Sequence, residues 1–350
     1  MNILFISHSN QKLIHLDPSV RYRCYHVAEE LNRMGFRADV CHFRAFKEEY
    51  ISRYHIFLFH KPRFSIRLMH TIRKLRIIGK TVWADFDDLV FDEYLAEQSP
   101  LFLCGRASAT VVFKLQREYR KALLLFSHVM VSTYPLAEHA RRVHPAAHVG
   151  IVHNGLSARW VSNGKYLYRR ENKKKWIGYF PGTSTHRKDF QLVAPALIRF
   201  LESNRDMRLL LLGPLDVGGE FGLKMEQVLT LPAVTYDQLP YWIMQCWLTI
   251  APLSDTIFNQ CKSRVKLIES AIWGVPLVAS SIDDLRQCAT DVLYAADEDQ
   301  WFDQLNKLKD EKLHGKISAG NYQWANRFAM ARDQIDAWLN YLYPLQAQVG

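Results

Sequence analysis

The sequence predicts an α/β protein made of two Rossmann-like domains that face each other across a cleft. Short apolar runs alternate with segments of helical spacing, and this alternation restarts after a polar, basic bridge at residues 157–175. Strands that alternate with helices form parallel sheets covered by helices on both faces. The length of 350 residues also fits two domains of about 100–200 residues each.

In the first half, the strand-like runs are 3–7, 38–43, 56–60, 81–86, 129–133 and 150–153. Apolar residues recur at helical spacing between them, in one segment at Val20, Cys24, Val27, Ala28 and Leu31, and in a second at Ile66, Met69 and Ile72, which Gly79 should end.

In the second half, strands are predicted at 176–180, 207–212, 248–251, 276–279 and 292–294, and helices at 190–201, 262–273, 300–308 and, as one long stretch, 322–342. The expected division is an N-terminal domain at 1–160, a C-terminal domain at 161–325 and a final helical segment at 326–350.

Charge is distributed unevenly along the chain. Lys and Arg number 45 against 35 acidic residues, and residues 1–160 hold 23 of the basic and 14 of the acidic ones, a net charge of +9. The first half should therefore meet an anionic partner such as a nucleic acid, a phosphorylated substrate or a membrane surface.

Compartment and membrane topology follow from other sequence features. The six cysteines are scattered, which is typical of reduced thiols in a cytoplasm. No apolar run approaches the roughly 18–20 residues of a spanning helix. Residues 1–7 have no basic residue ahead of the apolar run, so we expect a first strand rather than a signal peptide.

The loop and helix after the strand at 248–251 form the first candidate site, because ligands of such sheets bind at the carboxyl ends of strands. A helix predicted to start near Lys262 and Ser263 would present free N–H groups to a phosphate. Lys262 and Lys266 would share one helical face, and Glu269 falls near that face, where a carboxylate could hold a ribose diol. An ordinary amphipathic helix with surface lysines explains the spacing equally well.

A second loop follows the strand at 176–180. Gly182 and Thr183 would let a ligand approach the backbone, and Arg187 and Lys188 could meet phosphate oxygens. Taken alone, the segment is more simply explained as a strand–helix turn with solvated basic residues.

Two strand ends in the first half carry polar groups. His60 could orient or deprotonate a hydroxyl group. Asp85, Asp87 and Asp88 could bind sugar hydroxyls, cap a turn or hold a divalent metal ion. Metal binding ranks last, because metal-dependent transferases with such a motif have a different architecture.

The segment 106–126 is the membrane candidate, since an apolar stripe there is accompanied by Lys114, Arg117, Arg120 and Lys121. A core-packing helix with solvated charges is the favoured alternative. Nucleic acid is the least expected partner, because the basic residues are interleaved with core pattern and no recognised nucleic-acid module occurs.

The motifs in 176–190 and 251–280 together resemble family 4 glycosyltransferases of the GT-B type, closest to bacterial members that act on surface polysaccharides. The N-terminal half agrees more loosely, at Arg21-Tyr-Arg, Phe59-His-Lys-Pro and the segment 79–91. The resemblance implies transfer of a sugar from a nucleotide-sugar donor to an acceptor hydroxyl, with retention at the anomeric carbon. It implies no metal and no cofactor, the nucleotide sugar being a co-substrate.

The resemblance also implies roles for individual residues. Lys188 and Lys262 match basic residues that neutralise the donor diphosphate, Glu269 matches the glutamate that holds the ribose, and His60 matches a histidine at the point of sugar transfer. The further expected donor contacts are Gly182, Thr183, Arg187, Asn259, Ser263 and Lys266. The expected acceptor contacts are Arg21, Asp85, Asp87 and Asp88.

One position departs from the family pattern. Cys261 stands where the family has the first glutamate of its Glu-x7-Glu motif. A thiol cannot replace a carboxylate in holding the hydroxyls of the donor sugar, so that role must pass elsewhere, with Asp255 and Asn259 as candidates.

The resulting expectation is a cytoplasmic enzyme, peripheral on the inner face of an anionic membrane, that extends a glycan or lipid-linked acceptor of a surface polysaccharide or lipopolysaccharide. The final helix is expected to cross back to the first domain. Two alternatives stay open: a non-catalytic subunit of an assembly complex with the same fold, and a nucleotide-sugar epimerase of that fold.

Overall fold

The computed structural model describes residues 2–167, 174–215 and 221–342. Within these ranges the chain divides into two compact units. Unit 1 contains residues up to Ser157, the short segment Cys261–Ser263 and the chain from Met330 onward, whereas unit 2 contains Ala158–Gln260 and Arg264–Ala329.

The described strands are β1 (Asn2–Ser7), β2 (Arg37–His42), β3 (Ile56–His60), β4 (Thr81–Phe86), β5 (His128–Val131), β6 (His148–Ile151), β7 (Trp176–Tyr179), β8 (Arg208–Leu212), β9 (Val228–Leu231), β10 (Leu248–Ala251), β11 (Leu277–Ala279) and β12 (Leu293–Tyr294).

The first eight described α-helices are α1 (Pro18–Val20), α2 (His26–Arg33), α3 (Glu49–Arg53), α4 (Ile66–Ile77), α5 (Pro100–Leu103), α6 (Ala109–Leu123), α7 (Tyr134–Val143) and α8 (Ala158–Leu167), of which α8 belongs to unit 2. Those that follow are α9 (Arg187–Ser203), α10 (Leu239–Gln245), α11 (Ile257–Gln260), α12 (Val265–Ala271), α13 (Asp283–Arg286), α14 (Glu298–Lys307), α15 (Glu311–Phe328) and α16 (Ile335–Leu342). A π-helical turn at Arg21–Tyr25 joins α1 to α2, and short 3-10 helices lie at Ile14–Leu16, Phe43–Ala45, Glu93–Gln98, Ser184–His186, Met225–Gln227, Tyr236–Gln238 and Ala331–Gln334.

Each unit contains one six-stranded sheet in which every described strand pair is parallel. The order is β2-β1-β3-β4-β5-β6 in unit 1 and β12-β11-β10-β7-β8-β9 in unit 2. The predicted class, two Rossmann-like domains with parallel sheets, is therefore confirmed.

The strand order identifies one topological switch point in each sheet. In unit 1 successive strands are added on opposite sides of the β1–β3 boundary, and in unit 2 on opposite sides of the β7–β10 boundary. The loops at the carboxyl ends of these strands leave in opposite directions and open a crevice, which is the usual ligand position in doubly wound sheets. Each unit therefore has one geometrically privileged position for a ligand.

Apolar strand residues and helix stripes form the cores. The predicted stripe at Val20, Cys24, Val27, Ala28 and Leu31 is buried against β1, β2 and β3, together with Trp338 of α16. In unit 2 the first helix after β7 is buried along one face, and Phe190, Leu197 and Leu201 pack with β7, β8 and β10.

The second predicted stripe needs a correction. α4 forms as expected, with Ser65 accepting a hydrogen bond from the Leu68 amide at its start and Gly79 at φ 73° just beyond its end. However, the buried side chains are Leu68, Ile72 and Leu75, whereas Ile66 and Met69 are exposed. Spacing alone could not decide which of two apolar sets faces the sheet.

The predicted helix 322–342 is not continuous. α15 ends at Phe328, and Met330 is extended because it pairs with Leu156, whose carbonyl accepts the Ala331 amide at 2.8 Å. A 3-10 turn at Ala331–Gln334 then leads into α16, which packs in unit 1. Residues 343–350 of the predicted final segment lie outside the described residues.

Candidate functional site

The switch point of unit 2 is organised by Asp189, in the first turn of α9. Its Oδ1 accepts hydrogen bonds from the Ser254 amide at 2.7 Å, the Ser254 hydroxyl at 2.9 Å and Asn259 Nδ2 at 3.2 Å, and its Oδ2 lies 2.8 Å from His186 Nδ1. Asp189 therefore ties the loop after β10 to the start of the helix after β7.

The environment of Asp189 keeps it ionised. Burial by itself would raise the pKa of this carboxyl group, but the hydrogen bonds from His186 and Ser254 outweigh burial and hold the pKa below its usual value. A charged, fully bonded acceptor fixes both loops in one geometry, which a preorganised binding site requires.

Several predicted donor contacts precede Asp189 along the chain. Gly182 and Thr183 are exposed in the loop after β7, and an added Cβ at Gly182 would meet nothing within 4 Å. Arg187 lies 5.2 Å from the ring centroid of Phe221, and Lys188 is exposed beside the buried Asp189. The loop thus presents open backbone and a cation at the carboxyl end of β7.

Asn259 is committed to the same loop. It is 5% exposed, and its Nδ2 also donates to the Ser254 carbonyl at 2.9 Å, while its Oδ1 is buried with no hydrogen-bond partner among the described residues. Asp255, the other candidate for the missing glutamate, accepts a bond from Gln260 Nε2 at 3.0 Å.

The predicted helix start at Lys262 and Ser263 is wrong, because α12 begins at Val265. Arg264 precedes it, with its amide and guanidinium both bonded to Asp284, at 2.7 and 2.9 Å, so the helix begins only beyond this anchor. Lys262 therefore lies outside the helix, and the predicted common helical face of Lys262 and Lys266 does not form.

Lys266 and Glu269 are brought together within α12. Lys266 Nζ lies 2.9 Å from Glu269 Oε2, and the Glu269 side chain is only 7% exposed whereas that of Lys266 is 40% exposed. The lysine expected to contact a phosphate therefore pairs with the carboxylate expected to hold a ribose.

The segment Cys261–Ser263 groups with unit 1, and two hydrogen bonds hold it there. The Cys261 carbonyl accepts from Thr133 Oγ1 at 3.0 Å, and Ser263 Oγ accepts from Asn154 Nδ2 at 3.0 Å. The Cys261 side chain is buried, 1% exposed, so the position of the absent glutamate is filled by a small apolar group.

At the switch point of unit 1, His60 ends β3 and is 1% exposed. Its Nε2 lies 2.9 Å from Ser19 Oγ, and that hydroxyl donates to Asp87 Oδ2 at 2.6 Å. Since the one hydroxyl proton goes to Asp87, the histidine must donate to Ser19. The three residues therefore do not form a nucleophilic triad, and His60 Nδ1 is buried with no partner among the described residues.

Lys61 joins this group with an unusual backbone. Its φ of 45° lies in the left-handed region, where a non-glycine residue costs about 1–3 kcal/mol and tends to occur at functional sites. Lys61 Nζ contacts Asp88 at 2.5 Å and Asp87 at 3.2 Å. Burial by itself would raise the pKa of Asp87, because it disfavours the ionised carboxylate. The nearby Lys61 and His60 outweigh this effect of burial and hold the pKa well below its usual value.

Asp85, a predicted acceptor contact, is buried and paired with Arg23 instead of facing a ligand position. It is 0% exposed, and Arg23 Nη2 approaches its Oδ1 at 2.5 Å while Nε lies 3.1 Å from Oδ2. Arg23 also donates to the Val152 carbonyl and to Asn154 Oδ1 and lies over the Trp338 ring. The fourth predicted acceptor contact, Arg21, donates to the carbonyls of His15 and Leu16.

Sequence reasoning missed Asp189, Ser254, Ser19, Lys61 and Arg23 as functional positions. Asp189 and Lys61 are immediate neighbours of residues it singled out; Lys61 directly follows β3, and Asp189 lies in the first turn of α9. Ser19 and Arg23 come from α1 and the π-helical turn, and only the folded chain brings them to the ends of β3 and β4. Among the described residues, no group of three or more His, Cys, Asp or Glu side chains is arranged to hold a metal ion.

The two sheets and their switch points define the class of architecture found in GT-B glycosyltransferases. No protein-family model and no curated protein sequence matches the chain. Solved structures do match over the whole fold. Anabaena HepE in complex with UDP and glucose has a TM-score of 0.64 at 13% identity, with 98% of this chain and 100% of that chain covered.

Two further matches support the same fold. The sucrose-phosphate synthase from Thermosynechococcus elongatus has a TM-score of 0.64 at 12% identity, with both chains covered in full. Staphylococcus aureus TarM, solved as a G117R mutant with fondaparinux, α-GlcNAc-glycerol and UDP, has a TM-score of 0.55 at 10% identity, with 82% of this chain and 55% of that chain covered.

Proposed function

We propose that the protein is a glycosyltransferase that moves a sugar from a nucleotide-sugar donor to the hydroxyl group of a glycan or lipid-linked acceptor. The observation that carries this proposal is the switch point of unit 2, where Asp189 bonds the loop after β10 to His186 at the start of α9, just beyond the exposed Gly182-Thr183 loop. UDP is named as a bound molecule in the HepE and TarM structures of the same fold, which supports the proposal.

The donor is proposed to bind through residues of the second half of the chain. Lys188 and Lys262 oppose the diphosphate charge, and Glu269 holds the ribose diol. Gly182 and Thr183 supply backbone groups, while Arg187, Ser263, Lys266 and Asn259 complete the donor contacts. Because Lys266 is paired with Glu269, its role is to orient that carboxylate as well as to add positive charge.

In the transfer, the bond between the anomeric carbon and the diphosphate oxygen breaks, and a bond to the acceptor oxygen forms. The leaving diphosphate gains negative charge, so lysines fixed before the reaction stabilise the transition state more than the ground state. The motifs supply no obvious protein nucleophile. We propose departure and attack on the same face, with retention, and with the leaving phosphate accepting the acceptor proton.

The acceptor is proposed to bind at the switch point of unit 1. His60, Asp87 and Asp88 are the groups suited to hydroxyl recognition, and Arg21 is proposed as a further acceptor contact. Asp85 is assigned an indirect part in this proposal, since Arg23 occupies its carboxylate and the pair holds the end of β4 in position.

The biological setting is proposed to be the synthesis of a surface polysaccharide or lipopolysaccharide at the inner face of the cytoplasmic membrane. The domain limits proposed for these roles are 1–160 for the acceptor and 161–325 for the donor, with 326–350 as the returning segment. Among the described residues, no helix is long and apolar enough to cross a membrane.

A panel of sugar nucleotides tests the proposal. A bound donor at 100 times its Kd should stabilise the protein by about 2.7 kcal/mol, which a thermal shift assay detects. The donor found in this way is then incubated with acceptor lipids, and products are measured by mass spectrometry. Glycosylated acceptor with released nucleoside diphosphate is the expected result.

Each alternative predicts a different result in this assay. Binding without turnover on any acceptor would favour the non-catalytic subunit, which the buried Cys261 makes the second candidate. Conversion of the sugar nucleotide without acceptor would identify an epimerase. Absence of stabilisation by every nucleotide would refute donor binding itself.

A further inference from the structure

The solvent face of α4 in unit 1 carries exposed apolar and basic side chains together. Ile66 is 67% exposed, Ile77 is 74% exposed and Met69 is 38% exposed. With Arg73, these residues follow the spacing i, i+3, i+7 and i+11, so they form one stripe along the helix. This stripe lies opposite Leu68, Ile72 and Leu75, which pack inward, and we call it the α4 face.

The surroundings of the α4 face are basic. Residues 62–80 contain six Lys or Arg and no Asp or Glu. Arg76 and Lys74 flank the stripe, Arg76 donating to the Leu125 carbonyl and Lys74 pairing with Glu48. Ile78, just past the helix, is 46% exposed and extends the apolar part.

The C-terminal half of α6 adjoins this face. The Phe64 amide donates to the Glu118 carbonyl at 3.1 Å, and Lys121 Nζ lies 5.6 Å from the Phe64 ring centroid. Lys121 and Arg117 of α6 are exposed, which widens the basic surface. In the apolar stripe predicted for 106–126, by contrast, Val112, Leu123 and Phe126 are buried, and Val111 is the large apolar side chain that is exposed, at 55%.

We infer that the α4 face docks on an anionic lipid bilayer surface. Large aliphatic side chains in the solvent-facing stripe of a helix cost free energy in water, and they gain it where they enter the headgroup region. Basic side chains beside them pair with negative lipid headgroups in the same orientation. The segment 62–80, with six cations and no carboxylate of its own, matches such a surface in charge.

This inference rests on the proposed function, because a lipid-linked acceptor would lie at that bilayer. It places the main membrane contact on α4, with the basic residues of α6 in support, rather than on the apolar stripe of 106–126. The surplus positive charge of the first half thereby has a specific location.

Vesicle sedimentation of the full-length protein tests the inference. Vesicles of phosphatidylglycerol and phosphatidylethanolamine are compared with neutral phosphatidylcholine vesicles. The variants are Ile66→Ser with Ile77→Ser, and Arg73→Glu with Lys74→Gln. The controls in unit 2 are Leu192→Ser with Tyr241→Ser, two exposed apolar positions away from the α4 face, and Lys312→Glu.

The wild-type protein and the control variants should sediment with the anionic vesicles and stay in the supernatant with the neutral vesicles. The charge variant should lose about thirty-fold or more in partitioning, since each cation near the surface contributes about fivefold. The Ile66/Ile77 variant should also lose binding. The melting temperature from circular dichroism and the nucleotide affinity from calorimetry should be unchanged in the charge variant and in the Ile66/Ile77 variant. A wild-type protein that binds no nucleotide would instead refute the proposed function, independently of the vesicle result.

Equal vesicle binding by all variants, or equal binding of wild-type protein to neutral and anionic vesicles, would overturn the inference. So would dimerisation in analytical ultracentrifugation that disappears in the Ile66/Ile77 variant, because the α4 face would then be an interface between copies of the chain.

Discussion

Replacing Asp85 by Asn should destabilise unit 1 strongly. Asp85 and Arg23 are 0% and 1% exposed, and their contacts include Nη2 to Oδ1 at 2.5 Å and Nε to Oδ2 at 3.1 Å. Asn preserves the shape of the side chain but removes its charge, so the guanidinium remains buried without a counter-ion. Loss of one partner of such a pair costs about 3–5 kcal/mol.

Urea unfolding followed by tryptophan fluorescence measures this cost, and hydrogen exchange of the β4 amides assigns the transition to unit 1. Glu48→Gln is the matched control, because it removes the same charge from a pair in which Glu48 is 82% exposed. That change should cost less than about 1 kcal/mol.

A free energy of unfolding for Asp85→Asn within about 1 kcal/mol of the wild-type value would refute this reasoning. If stability were retained while transfer activity disappeared, Asp85 would be a direct acceptor contact, and the structural assignment to Arg23 would be wrong.

Two further predictions concern packing and pH. In Gly155→Ala, the new Cβ would lie 2.6 Å from the Ala331 backbone, so the Leu156–Met330 pairing should open. Limited proteolysis should then cleave the chain near residue 330 faster than in the wild type. Gly315→Ala is the control, because a Cβ there meets nothing within 4 Å and the cleavage rate should not change. In Asp189→Asn, the stability contributed by the carboxylate is lost. Because the folded pKa of Asp189 is depressed, that contribution is present above its unfolded pKa of about 3.9 and disappears as pH falls through the folded pKa. The difference in melting temperature between wild type and Asp189→Asn should therefore be largest near neutral pH and shrink below about pH 4, and a constant difference would contradict it.

Hydrophobic periodicity was sufficient to predict the sheets. Eleven of the twelve described strands correspond to predicted runs, because the inner strands of a parallel sheet are covered on both faces and are mostly apolar. The missing strand, β9, is a four-residue edge strand that ends beside Pro232, so it has neither a long apolar run nor clear alternation.

Helix boundaries and faces depended on contacts distant in sequence. The start of α12 is set by Arg264 and Asp284, twenty residues apart, and the break before α16 is set by Leu156 and Met330. Likewise, the sequence of α4 has two apolar sets, and only the sheet beneath the helix selects Leu68, Ile72 and Leu75 for burial.

The candidate site divides in the same way. Loops after strands were predictable: His60 ends β3, Gly182 lies in the loop after β7, and Lys188 lies in the first turn of the helix that follows that loop. The groups that position them, Asp189 toward Ser254 and Ser19 toward Asp87, arise from tertiary contacts that no local motif encodes.

Titration calorimetry with UDP, or with the nucleotide that the panel selects, tests donor binding most directly. Wild-type protein should bind, Glu269→Gln should bind at least about tenfold more weakly through loss of a charged hydrogen bond, and Glu298→Gln on α14 should bind as the wild type does. Equal affinity of Glu269→Gln and wild type, or no nucleotide binding by the wild type, would contradict the proposed donor site.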